Sequence, residues 1–195
     1  MSYPTTPVFT TVNLKSESPT LVSEAASGKL QARQIAGQRW SFSASYAPMT
    51  RSEFAPVSAF IMQQRGRLNT FYIELPVISD SASSASGTLA VNNISGYVAG
   101  TTTIAVNGLS GRLSVGDLIK FNGHDKVYMV VDESDTSGNT TSITVEPQLV
   151  QGVVNDETID YNSVQMKVRL NNDVQEFGLR TDSLISYEVD FIEAI

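Results

Sequence analysis

Apolar and polar residues alternate without a break over residues 40–46: Trp40, Phe42, Ala44 and Tyr46 fall on one side, Ser41, Ser43 and Ser45 on the other. Successive side chains of a β-strand point to opposite faces, so this period of two predicts a half-buried antiparallel strand with its aromatics toward a core. The same rhythm returns near the C-terminus. Val164, Met166, Val168 and Leu170 alternate with polar residues, and Ile185, Tyr187, Val189 and Phe191 alternate with Ser186, Glu188 and Asp190. Between them, Asn171-Asn172-Asp173 reads as a turn and residues 174–179 as a returning strand, and the final strand is predicted over 184–192. Upstream, residues 8–14 read as a short strand, and residues 16–27, polar and interrupted by Pro19, as a surface loop. Residues 29–34, closed by Gly37, are the expected hairpin partner of the Trp40 strand.

One segment changes period. Phe54, Val57, Phe60 and Ile61 recur at steps of three to four, the spacing of an amphipathic helix. A proline deep inside a helix costs about 3 kcal/mol, so Pro56 predicts a regular part that begins near Ala55 or Pro56. Thr50-Arg51-Ser52-Glu53 is then a preceding turn, and Gly66 the C-terminal cap. A helix of roughly ten residues is not stable alone in water and must lay its apolar stripe on the sheet. Residues 70–75, stopped by Pro76, form the next strand.

Residues 79–87 are almost all Ser, Ala, Asp and Gly, the composition of a flexible connector. Four short runs follow, at 103–108, 117–121, 126–131 and 141–145, separated by turns that include Gly111, Gly116, Gly123 and Gly138. That spacing predicts a small barrel or sandwich. Because the Trp40-type alternation resumes after the insert, the simplest organisation is a mainly β chain in two parts. Residues 1–77 with 161–195 form a discontinuous β-rich assembly domain, a β-barrel or sandwich with one short flanking helix. Residues 78–160 form a small inserted β-barrel-like domain, whose excision is expected to leave the outer domain folded.

Composition sharpens this picture. Of 195 residues, 41% are hydrophobic and 17% charged, as in a folded globular chain. The absence of cysteine excludes disulfides, thiolate nucleophiles and thiolate metal sites. A formal net charge of −7 argues against a nucleic-acid partner, whose phosphates require clustered Lys and Arg. The first residues lack the pattern of a signal peptide, and no run approaches the roughly 18 apolar residues of a transmembrane helix, so a cytoplasmic chain with no membrane insertion is expected.

Candidate chemistry is sparse. His124 stands beside Asp125, but adjacent residues in a turn rarely face one another and no second histidine is there to build a metal site. No Gly-x-Ser-x-Gly elbow supports a serine nucleophile. Asp132, Glu133 and Asp135, ahead of Ser137-Gly138-Asn139, miss the register of a calcium loop. Glu188 and Asp190 share one strand face as glycosidase carboxylates would, yet an alternating strand turns its polar residues to water in any case. The expectation is a chain with no catalytic residue, no metal and no cofactor. Arg33, Arg39, Arg51, Arg65 and Arg67, concentrated in the first third of an acidic chain, suit salt bridges to an acidic neighbouring subunit.

Three segments carry a resemblance: Gly37-Gln38-Arg39-Trp40-Ser41-Phe42, Tyr46-Ala47-Pro48-Met49-Thr50-Arg51 and Phe60-Ile61-Met62-Gln63-Gln64-Arg65-Gly66. With the later Gly116-Asp117-Leu118-Ile119-Lys120-Phe121 and the closing strands, they resemble tail-tip and baseplate proteins of tailed bacteriophages, above all the distal tail protein family. The resemblance implies a non-enzymatic structural protein of the virion tail, assembled in the host cytoplasm. It implies a ring, six copies or else three, that joins the tail tube to the hub and to peripheral adhesion parts. Candidate interface and structural residues are then Arg39, Trp40, Arg51, Arg65, Arg67, Phe191 and Ile192. Trp40 is expected under the helix, and Phe191 and Ile192 on a C-terminal edge that a neighbour covers. The rival reading is a carbohydrate-binding adhesin module of the tail, with Tyr97, Phe121, Tyr128 and Tyr161 of the insert as its aromatics.

Overall fold

The computed structural model describes every residue except 1, 36, 84 and 134–139. The Trp40 strand is β4 (Arg39–Ser45), and it lies inside a sheet. β1 (Thr11–Glu17) pairs with it antiparallel on one side and the last strand, β14 (Ile185–Glu193), on the other. Beyond β14 come β12 (Gln165–Leu170) and β5 (Phe71–Glu74), giving the order β1-β4-β14-β12-β5, with β13 (Phe177–Leu179) paired to β14.

Two sequence expectations change here. Residues 30–34 do not pair with β4. They form β3 (Leu30–Gln34), which pairs with β2 (Thr20–Glu24) inside the stretch read as a loop, through a turn at Gly28 with φ 76°. Nor is the C-terminal strand an edge. β14 bonds β4 through Glu188–Ile192 and β12 through Phe191–Glu193, so Phe191 is fully buried in the chain's own core and Ile192 is half-buried.

The alternation of β4 and β14 puts Phe42 and Phe191 opposite each other in register, with ring centroids 4.8 Å apart. Helix α1 (Arg51–Gln64) crosses this aromatic face. Phe60 meets Phe71 edge to face at 5.0 Å and Phe54 meets Tyr187 at 5.4 Å, while Val57 and Ile61 are buried beside them. Burying each such side chain stabilises the fold by about 1.5–3 kcal/mol. The helix starts some five residues earlier than Pro56 suggested. Thr50-x-x-Glu53 is a capping box: the Glu53 carboxylate accepts the Thr50 N–H and hydroxyl, both at 2.8 Å, and these bonds lower its pKa. Pro56 therefore lies in the second turn of the helix. At the other end Arg65, not Gly66, is the cap, in the left-handed region at φ 55°.

The segment between β5 and β12 closes on itself. β6 (Ser86–Val91), β7 (Thr103–Ser110), β8 (Leu118–Phe121), β9 (Val127–Glu133), β10 (Thr140–Glu146) and β11 (Thr158–Asp160) make a closed barrel in the order β10-β7-β6-β11-β8-β9. Inward residues such as Ile104, Val106, Phe121, Ile143 and Ile159 fill it. Where β6 and β7 slip register, a Cβ on Gly108 would sit 2.1 Å from the Thr88 carbonyl oxygen, so only glycine fits. The connector at residues 79–83 is not free. Ser79 and Leu75 exchange hydrogen bonds, Ser163 N–H donates to Asp80, and the Ser81 hydroxyl and Ala82 N–H both donate to Asp117 of the barrel. Serine and aspartate act there as hydrogen-bonding residues, which composition alone does not distinguish from a spacer.

Barrel and sheet meet at a buried ion pair. Lys126 Nζ lies 2.5 Å from Glu193 Oε2 and donates at 2.6 Å to Gln38 Oε1, and both charged side chains are wholly buried. Burial pushes the Lys126 pKa down and the Glu193 carboxylate opposes that shift. The carboxylate also accepts the N–H of Trp40 in β4 and of Val127 in β9, and the Trp40 indole donates to the Val127 carbonyl at 3.0 Å. Trp40 is thus buried as expected, but its indole is aimed at the barrel. The rings in contact with the helix phenylalanines are Tyr3, Phe71, Phe177 and Tyr187. Leu118 and Val127 of the barrel belong to the same apolar cluster as Trp40, so excising the barrel would uncover part of the sheet's core.

Lys126→Met is expected to cost about 3–5 kcal/mol in denaturant unfolding, because it strands a buried carboxylate. Adding Glu193→Gln should recover part of this by removing the stranded charge, and only part, since the amide has one acceptor oxygen where the carboxylate accepts the N–H groups of both Trp40 and Val127; a single-variant cost under about 1 kcal/mol would contradict the assignment. Trp40→Ala is expected to cost about 3–5 kcal/mol by circular dichroism melts, and native Trp40 emission should be blue-shifted and poorly quenched.

Candidate functional site: the assembly surfaces

The chemistry-bearing residues are placed as structural groups. His124 is buried, with Nδ1 3.0 Å from the Tyr128 hydroxyl and Nε2 3.3 Å from the Gly152 carbonyl. The carbonyl requires a proton on Nε2, so Nδ1 accepts from Tyr128 while the Tyr128 oxygen accepts the Val150 N–H. Burial lowers the His124 pKa and favours this neutral, fully bonded ring. Asp125 faces away from it, paired at 2.6 Å with Lys167 of β12 and bonded to the Tyr72 hydroxyl of β5. Glu188 and Asp190 lie opposite Ser45 and Ser43 on the outer, polar face of the sheet, and Asn172 donates to Asp190. Asp132 is exposed at the end of β9; Asp135, Ser137, Gly138 and Asn139 lie outside the described residues. Among the described residues no three His, Asp or Glu side chains are grouped to hold a metal ion. Of the aromatics a carbohydrate-binding barrel would present, Phe121, Tyr128 and Tyr161 are buried, and the Tyr97 hydroxyl is occupied by the Ala105 N–H.

The five arginines are all exposed but are not gathered into one patch. Arg33 is on β3, Arg39 opens β4 opposite Glu17, Arg51 opens the helix, and Arg65 and Arg67 follow its end. Phe191 and Trp40 serve the interior, leaving Ile192, opposite Ser41 and Arg169, on the outer face.

The surface the sequence reading missed is the β2–β3 hairpin. All ten of its residues are exposed, including Leu21, Val22 and Leu30, each more than half exposed. Its cross-strand pairs, Thr20 with Gln34, Val22 with Ala32 and Glu24 with Leu30, share one face. The signal was legible: Leu21-Val22 and Leu30 flank Ala25-Ala26-Ser27-Gly28, a turn with a glycine at its end. Polarity of the surrounding serines and threonines masked it. Between this hairpin and the barrel runs an open groove of about 1290 Å³, with Thr20 and Gln34 on one side, Pro147 and Val150 on the other, and Leu14, Trp40 and Met129 in the same lining.

Two family models match the chain. Residues 2–78 match the N-terminal part of the A domain of the distal tail protein pb9, and residues 82–164 match the B domain of the same protein. A search of curated proteins finds no match. The A-domain match covers β1 to β5 with the helix and hairpin, and the B-domain match covers the whole closed barrel. The N-terminal part of the A domain and the B domain of one tail protein, matched in order over most of the sequence, place this mainly β chain in the distal tail protein family of tailed bacteriophages, as a structural component of the virion tail.

Proposed function

We propose that the chain assembles with copies of itself into a closed ring, of six or three subunits, at the end of the tail tube. The ring joins the tube to the hub and to peripheral adhesion parts, and it transforms no substrate. The observation that carries this reading is the exposed β2–β3 hairpin. A two-stranded hairpin without a third strand or a core is marginal in water, and apolar side chains along it favour a covering surface. A ring supplies that surface at every subunit, since a head-to-tail contact repeats until the rotation closes. The edge strand β1 adds to the argument: it pairs with β4 on one side, and its other side offers ladder groups that a neighbouring copy would protect.

The test is the mass of the assembly with and without the hairpin's apolar face. Val22→Asp combined with Leu30→Asp alters exposed positions, so circular dichroism and the melting temperature should stay near those of the parent. Sedimentation should shift from a closed oligomer to a monomer. Unchanged oligomer mass in that variant, or a parent chain present as isolated single copies in intact tails, would contradict the proposal.

A further inference from the structure

The groove beside the hairpin is a socket without an occupant in its own chain. Leu14 and Met129 in its lining are the partly buried flank of the sheet's core, so its inner surface continues the core outward. Thr20 and Gln34 line one wall, and the strand period carries Val22, Ala32 and Leu30 onto the same face beyond them. Pro147, Leu149 and Val150 make the opposite wall. Among the described residues lining the groove, Glu146 is the one charged side chain.

The turn after helix α1 has the complementary character. Met62 and Leu68 are 68% and 70% exposed, and the exposed Arg65 and Arg67 stand between them in sequence. This knob is held in shape: Arg65 and Gly66 are both left-handed, Arg67 N–H donates to Asp173 Oδ1 at 3.0 Å, and a Cβ on Gly66 would come within 2.7 Å of the same oxygen. A pre-shaped knob loses little freedom on docking. The turn leads directly into β5, at the opposite end of the sheet from β1, whose Leu14 and Ser16 line the groove.

We propose that the groove receives the Met62–Leu68 knob of a second copy of this chain, with Arg65 or Arg67 meeting Glu146 and the hairpin closing over the inserted turn. Donor and acceptor surfaces lie at opposite ends of one sheet, so the contact is head-to-tail and repeats around a ring instead of ending at a pair. Met62 and Leu68 meet the apolar part of a mixed lining, Leu14, Met129, Pro147 and Val150, and the two arginines face Glu146, the one carboxylate among the described residues of that lining, in a chain of net charge −7. This placement rests on the ring reading above and specifies which surfaces form its contact.

Because the chain has no cysteine, the contact is testable by mixing two single-cysteine proteins. Leu68→Cys is combined with a tagged Val150→Cys, and, as a control, with a tagged Ile94→Cys, which lies outside the groove lining and is 93% exposed. Oligomer mass is recorded first, then a short bis-maleimide is added and tagged–untagged dimers are counted. The expected result is an oligomer with at least tenfold more cross-linking to Val150→Cys than to Ile94→Cys. An oligomer with equal cross-linking to both sites would overturn the socket while leaving the ring reading standing. A mixture that stays monomeric, from a parent that is also monomeric in intact tails, would overturn both.

Discussion

The Glu193 carboxylate is the constraint on which the two halves of this molecule depend. It lies two residues past Phe191, the last core aromatic of β14, wholly buried, and it accepts from β4, from β9 and from the Lys126 ammonium together. A lone charge in that place would be expelled by its desolvation cost; paired and bonded on both oxygens it is tolerated, and it fixes one geometry. Val127 illustrates the consequence. Its N–H goes to Glu193 and its carbonyl to the Trp40 indole, so the start of β9 is held to the sheet by both of its backbone groups. Around this point Asp125 reaches Lys167, and Lys120 sits 4.8 Å from the centre of the Tyr72 ring. The barrel is therefore carried in a set orientation relative to the sheet.

What the sequence made legible was whatever local periodicity determines. The alternation at Trp40 and Phe191 marked two central strands of the sheet, and four short runs between glycine-rich turns marked four strands of the barrel. What it hid was set by partners far along the chain. Trp40 reads as a core residue from its period, but nothing local says that its indole serves the Val127 carbonyl, 87 residues away. Residues 29–34 were assigned to the wrong partner because β-pairing depends on the register of both strands, and β1 and β14 already occupy both sides of β4. The capping box at Thr50 and Glu53 is legible in the sequence and marks the helix start, four to five residues before the one Pro56 predicts.

The candidate site was harder to read than the fold. A catalytic centre advertises itself by residue type, whereas an assembly surface consists of ordinary residues left uncovered. Arg65, Arg67 and Arg39 could be singled out by charge, and they are exposed. The hairpin that carries Leu21, Val22 and Leu30 is marked in the sequence by its glycine turn, but their exposure is not, because exposure is a property of the folded chain. Phe191 and Ile192 erred in the other direction: a terminal apolar run suggests an edge, but insertion of β14 between β4 and β12 makes it the middle of the sheet. Family membership, established by the two domain matches, supplies the tail as the setting, and the uncovered hairpin supplies the physical reason to expect neighbours there.

The measurement that bears most directly on self-assembly is a cryo-electron microscopy reconstruction of intact tails, computed without imposed symmetry, with this chain located in the map. The account predicts a closed ring of six or three copies at the end of the tail tube, each hairpin covered by the adjacent copy. Isolated copies with hairpins standing in solvent would contradict it.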